Sequence, residues 1–257
     1  MESRPAATAA QDNPMGTDGL EFIEFAAPEP LELDGIFRKL GFAPVARHRS
    51  KDVTLYRQGG INFILNAESD SFAQAYARVH GASICAIALR VHDARAAANR
   101  AKSLGADVLP GNARPGELNI PAIRGIGGSL IYLVDRYETP DSRISLYDVD
   151  FLPIRGAEPH PCGQGLTGID HLELGVHPGR VATAAEFWER LFSFRGAENG
   201  EFAGPCGRIR LRIAEAPDAD TCHREGFQRI ALAAPDIAAI KEREAAIGGL
   251  AIRAVQA

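Results

Sequence analysis

"GIDHLELGVHPGRVATAAEFWERLFSF", residues 168–194, reads as an apolar strand, a Pro-Gly break and then an amphipathic helix. Strand side chains alternate faces, so His171 and Glu173 share one face while Leu172 and Leu174 share the other. In the helix, Ala184, Phe187, Trp188 and Leu191 fall at helical spacing, which predicts core packing rather than a cofactor box. The pair His171 and Glu173 raises the question of a metal site, against the plainer reading of a hydrogen-bonded structural His.

The same order of elements recurs on either side of this stretch. Towards the amino terminus, "LEFIEFA" (20–26) predicts a strand and "LELDGIFRKLGF" (31–42) a helix ended by Gly41. Three strand-like runs follow, "PVARHRS", "VTLYRQ" and "INFILN", the last two split by Gly59-Gly60. "SICAIALRV" (83–91) opens a second unit, with a helix from Asp93 as N-cap to Gly105, then short strands in "ADVLP", "LNIPAI" and "SLIYLVD". Residues 168–194 open a third unit, continued by the one-sided strand "CGRIRLRIAEA". A fourth starts at "FQRIALAAPD", is expected to form a helix over "IAAIKEREAAIGG" (237–249), and has room for one closing strand in "LAIRAVQA".

Boundaries follow from composition. Residues 1–18 are expected to be a flexible tail, 19–154 an amino-terminal domain of two units, 155–165 ("RGAEPHPCGQG") a linker, and 166–257 a shortened carboxyl-terminal domain. The fold class is α+β, built of tandem βαβββ modules with the last incomplete. A net charge of -5 argues against nucleic acid or an anionic membrane as partner and for a small-molecule role. Four cysteines without a C-x-x-C pair fit reduced thiols in the cytoplasm, and no run approaches a membrane span. An incomplete last module would leave a sheet edge exposed, which predicts a homo-oligomer.

Five stretches, "NPMGTDGLEFIEFAAPEP", "GFAPVARHRSKDVTLYRQGGINFILNAE", "HGASICAIALRV", "ELNIPAIRGIGGSLIYLVDRY" and "YDVDF", resemble in order the amino-terminal half of the 4-hydroxyphenylpyruvate dioxygenases. That family belongs to the vicinal oxygen chelate (glyoxalase/dioxygenase) superfamily. The resemblance implies Fe(II) as cofactor, held by two His and one carboxylate, and a small aromatic keto acid as substrate. The family reaction joins O2 to 4-hydroxyphenylpyruvate, loses CO2 and gives homogentisate, a step of tyrosine catabolism.

The resemblance puts His171 on the first ligand position and Arg229 on the second. A guanidinium has no lone pair for a metal. No counterpart of the third ligand, a Glu, precedes Ala257, and Arg212 and Ala214 stand where the family carries a Pro and a substrate-holding Asn. Glu173 is a weak substitute ligand, and His223 could reach in from a loop; Asp170 is expected to face away. Arg229 is expected to pair with Glu173 instead. In the first half, Glu21 and Glu24 are expected to face opposite sides, His48 and His80 to be solvated or structural, and "GIGGS" (125–129) to be a turn. Two readings stay open: an iron dioxygenase rebuilt around His171, or a non-catalytic binding or regulatory relative, a variant of which is the partner domain of a dehydroshikimate dehydratase.

Overall fold

Alternation and turn chemistry build two sheets. The computed structural model describes residues 12–111, 113–142, 144–196, 200–216 and 225–257. In the first half the strands are β1 (Thr17–Ala26), β2 (Ala43–His48), β3 (Val53–Gln58), β4 (Ile61–Asn66), β5 (Ser83–Val91), β6 (Val108–Leu109), β7 (Ala122–Arg124), β8 (Leu130–Val134) and β9 (Phe151–Pro153). They form one nine-stranded sheet in the order β6-β7-β8-β5-β1-β4-β3-β2-β9. In the second half, β10 (Gly168–Val176), β11 (Arg195–Gly196), β12 (Glu201–Ala203), β13 (Arg210–Glu215), β14 (Gly226–Ala234), β15 (Glu244–Ile247) and β16 (Leu250–Gln256) form a seven-stranded sheet, order β11-β12-β13-β10-β14-β16-β15.

Each half joins its units in the same way. β1 runs antiparallel to β5 and parallel to β4, while β10 runs antiparallel to β14 and parallel to β13. Helix α1 (Pro30–Lys39) buries Leu33 and Phe37 with Pro30 in its first turn, where its missing N–H costs nothing. Helix α3 (Ala94–Ser103) is capped as expected, the Asp93 carboxylate accepting from the Ala96 N–H at 2.8 Å. Helix α4 (Leu146–Asp150) leads into β9, and helix α5 (Val181–Phe192) lays Trp188, Leu191 and Phe192 on the second sheet. These are tandem modules of the vicinal oxygen chelate type.

Three sequence expectations need correction. Residues 13–18 are not part of a flexible tail, because Asn13 ties the start of β1 by accepting from the Thr17 N–H and hydroxyl, and Met15 is 2% exposed; the rest of the expected tail, residues 1–11, lies outside the described residues. The helix expected over 237–249 is instead a 3-10 turn (Ile237–Ala239) followed by a β15–β16 hairpin; Gly248, at φ 57°, turns the chain where no side chain sits comfortably. A helix not expected, α2 (Phe72–His80), is capped by Ser71, whose hydroxyl accepts from the Gln74 N–H.

The two halves share one core. Phe25, Phe63 and Ile87 of the first sheet and Leu172, Trp188 and Ile230 of the second belong to a single buried cluster. Between them, residues 155–165 lie along the β3–β4 turn. The Gln58 side chain, fully buried, donates to the Leu40 carbonyl and accepts from the N–H groups of Gln164 (2.6 Å) and Leu166 (3.4 Å). The "GIGGS" segment does form a turn, and Gly127 lies so close to the Glu225 backbone that a Cβ there would sit 1.8 Å from its carbonyl oxygen.

The loop before β7 is held down on the first sheet by charge. Glu117 accepts from Lys51 Nζ (2.8 Å) and the Arg114 N–H (2.9 Å), and from the Ser50 hydroxyl. Burial pushes this carboxyl up, but the Lys51 and Ser50 hydrogen bonds outweigh it and bring the value down to about 2 from an ordinary 4.5. The sign is that of a depressed acid: its stabilisation is present above about pH 4.5 and is lost as pH falls towards 2. Glu117→Gln should therefore lower stability by about 2 kcal/mol at pH 7, after screening by solvent at Lys51. In urea melts the gap to the parent should close in acid; an equal gap at pH 3 and pH 7 would refute the assignment. No helix among the described residues is long and apolar enough to cross a membrane.

Candidate functional site

β10 lies in the middle of its sheet, with β13 on one side and β14 on the other, so a residue on its polar face is framed by both neighbours. Leu172 and Leu174 point into the core and are nearly fully buried, which turns His171 and Glu173 to the opposite face. The register sets Glu173 opposite Arg229 on β14 and Arg212 on β13, and sets His171 opposite Ala231.

The face is a network of carboxylates and guanidiniums. Glu173 accepts from Arg229 Nη1 at 3.2 Å and from Arg253 Nη2, on β16, at 2.7 Å. His171 Nε2, buried and without a hydrogen-bond partner, lies 3.5 Å from Glu173 Oε1. Burial raises the Glu173 carboxyl, but the Arg229 hydrogen bond and the charges of Arg253 and Arg229 overcome it and hold the group below the ordinary carboxylate range. Arg212 pairs with Glu201 at 2.6 Å. A small cavity of about 180 Å³ opens beside His171, walled by Phe202, Arg210 and Arg212.

Asp170 does not face away. Its Oδ2 is 2.6 Å from His171 Nδ1, and its other oxygen pairs with Arg210. The cause is an irregularity in the β10–β14 pairing between Ile169 and His171, which lets consecutive side chains meet where regular alternation would part them. Arg253 is the site residue that sequence reasoning missed. Alternation in "LAIRAVQA" sets it opposite in facing to Ile252, which is buried, but only strand order reveals that this face is the one that carries His171. His223 and Cys222 lie outside the described residues; Cys85, Cys162 and Cys206 are free thiols.

This donor set does not fit Fe(II). An iron site of the His/His/carboxylate kind needs three lone-pair donors on one side and open positions on the other. Here both carboxylate oxygens of Glu173 are occupied by guanidiniums, whose positive charge opposes a dication. Among the described residues, no group of three His, Cys, Asp or Glu side chains is placed to hold a metal.

Residues 11–152 match the family model described as hydroxyphenylpyruvate dioxygenase, amino-terminal. A 4-hydroxyphenylpyruvate dioxygenase of Pseudomonas aeruginosa is 43% identical over 251 residues, covering 88% of this chain and 69% of the relative. The chain belongs to the 4-hydroxyphenylpyruvate dioxygenase family. The dioxygenase of Pseudomonas sp. (strain P.J. 874) is 47% identical over 207 residues, 80% of this chain but 57% of that protein. A 3-dehydroshikimate dehydratase of Pseudomonas aeruginosa is 40% identical over 202 residues, 78% of this chain and 31% of the dehydratase. Among solved structures, a xylose isomerase-like TIM barrel/4-hydroxyphenylpyruvate dioxygenase fusion protein matches with a TM-score of 0.73 at 35% identity, over 86% of this chain and 37% of the fusion. The chain thus spans little more than half the length of the Pseudomonas sp. (strain P.J. 874) dioxygenase, and only part of the fusion. Within the dioxygenase family, it is a member whose His171 face carries arginines.

Proposed function

We propose that this chain is a 4-hydroxyphenylpyruvate dioxygenase-like protein that does not carry out the iron- and O2-dependent conversion of 4-hydroxyphenylpyruvate, and that it serves as a binding or regulatory member of the family. One observation carries the reading: Glu173 is shared by Arg229 and Arg253, at 3.2 and 2.7 Å, on the face where His171 would have to gather a metal. His171 is then the remaining member of the ligand set, Glu173 an ion-pair partner, and Arg229 the residue at a lost ligand position. The ligand class is a small aromatic keto acid or a related molecule, for which Arg210, Arg212 and the Phe202 ring at the small cavity offer suitable chemistry. The proposed form is a cytoplasmic homo-oligomer; the oligomer is supported by the edge strand β15, which has a strand partner on one side only among the described residues. A monodisperse monomer by light scattering would remove the last point.

The deciding test is anaerobic Fe(II) titration of the purified chain, followed by oxygen uptake on addition of 4-hydroxyphenylpyruvate. The expected outcome is no stoichiometric iron and no substrate-dependent uptake. Iron bound one per chain with uptake would overturn the proposal. A second reading, that the chain acts beside a dehydroshikimate dehydratase, is supported by the dehydratase whose sequence contains a similar region; co-purification of the two activities tests it.

A further inference from the structure

The pairing irregularities of the two sheets show which residues of the halves correspond. β1 breaks register with β5 once at its start, between Thr17 and Leu20, then between Leu20 and Phe22 and again between Glu24 and Phe25, the last two matching the pair in the second half. β10 breaks register with β14 between Ile169 and His171 and again between Glu173 and Leu174. Matching these breaks sets Phe22 on His171 and Glu24 on Glu173. The cross-strand partners then follow: Ala86, opposite Glu24, corresponds to Arg229, opposite Glu173. Tyr132, beside Ala88, corresponds to Arg253, beside Ala231. The first half has kept the carboxylate and has neither arginine.

Sequence reasoning gave Glu24 no role, yet it borders a cavity of about 580 Å³, within the range of small-molecule sites. Glu24 is 6% exposed, accepts from Asn66 Nδ2 at 2.6 Å and has the Tyr132 hydroxyl beside it, so both of its close partners are neutral. The permanent cations on the cavity wall are committed elsewhere, Lys51 to Glu117 at 2.8 Å and Arg114 to Glu68 at 3.9 Å. Five carboxylates border the space (Glu24, Glu68, Asp70, Glu117 and Asp150) against those two cations. Burial, with Lys51 adding to it, lowers His48, which leaves it uncharged at neutral pH. Phe22, Ile64, Ile120, Leu130 and Phe151 supply an apolar wall.

We propose that this cup in the first half binds a small organic monocation with an aromatic or aliphatic body, its ammonium seated on Glu24. The argument is one of charge and solvation. A buried carboxylate whose hydrogen-bond partners are neutral is raised by loss of water by more than those bonds and the charge of Lys51 lower it, and an incoming cation returns the favourable interaction while the apolar body is removed from solvent. An anion would meet an excess of carboxylates. A divalent metal would find one carboxylate and an amide, short of a coordination set.

The test is calorimetric titration of the full chain with 2-phenylethylamine, with 3-phenylpropionate as the anion of similar shape. The amine should bind once per chain and the anion at least tenfold more weakly. Glu24→Gln keeps size and hydrogen-bonding capacity, and should weaken the amine at least tenfold with the thermal midpoint of the empty protein little changed. Ala86→Arg, which gives the first half the guanidinium that the second half has, should abolish binding; if that variant fails to fold, Glu24→Gln alone decides. No binding of the amine, equal binding of the anion, or unchanged amine affinity in Glu24→Gln would overturn the proposal.

Discussion

Arg229→His should give the second half of the chain a divalent-metal site that the parent lacks. Titrated anaerobically with Co(II), the parent should show no visible ligand-field bands, and the variant should show them at one equivalent with a dissociation constant at least tenfold lower. The reason lies in the geometry of Glu173. Removing the guanidinium at 3.2 Å frees Oε2, puts an imidazole lone pair opposite it in the β10–β14 register, and withdraws a positive charge from the place a dication would occupy. Like charges about 4 Å apart oppose one another by roughly 4 kcal/mol at an effective dielectric constant near 20, more for a dication, so the gain should be large. Arg253 still holds Oε1 at 2.7 Å. Adding Arg253→Leu should therefore tighten binding further and make the thermal midpoint rise with added Co(II), by mass action on the folded state. A double variant no better at binding Co(II) than the parent would show that His171 and Glu173 are not arranged as donors at all.

Trp188→Ala should cost roughly 3–5 kcal/mol of unfolding free energy, the range for emptying a large aromatic site. Trp188 is 1% exposed and meets Phe192 and Phe194 with ring centroids 5.1 Å away and Phe227, on β14, at 6.2 Å. It thus supports from below the strands that carry Glu173 and Arg229 above. Its indole Nε1 is buried without a hydrogen-bond partner, so Trp188→Phe loses some contact area but also an unsatisfied donor. That variant should stay within about 1.5 kcal/mol of the parent. Equilibrium urea unfolding separates the two; equal losses for Ala and Phe would mean the cavity is not what matters.

Strand and helix identity was legible where periodicity was strong. β1, β10 and α5 follow from alternation and helical spacing, and the resemblance of the first half extends to the fold found. The last unit was misread because Ala-, Glu- and Lys-rich sequence favours helix locally, while Gly248 and the pairing available along β14 and β16 favour a hairpin. At the site, the family resemblance brought Arg229 to attention, since a guanidinium at an expected ligand position is conspicuous. Arg253 and Asp170 were not legible: the first needs strand order, the second a local irregularity of register. Glu24 was passed over because a buried carboxylate in an apolar strand has no sequence signature of its own. Its meaning comes from what is absent around it.

Gln58 has a practical consequence for the chain between the halves. Residues 158–160 are exposed, and a protease could cut there. The cut would break the covalent path but not the buried amide that grips both Leu40 and the N–H groups of Gln164 and Leu166, nor the common core on either side. The nicked protein should migrate as two pieces in denaturing gels and as a single particle in native ones, so the two halves are neighbours by packing before they are neighbours by sequence.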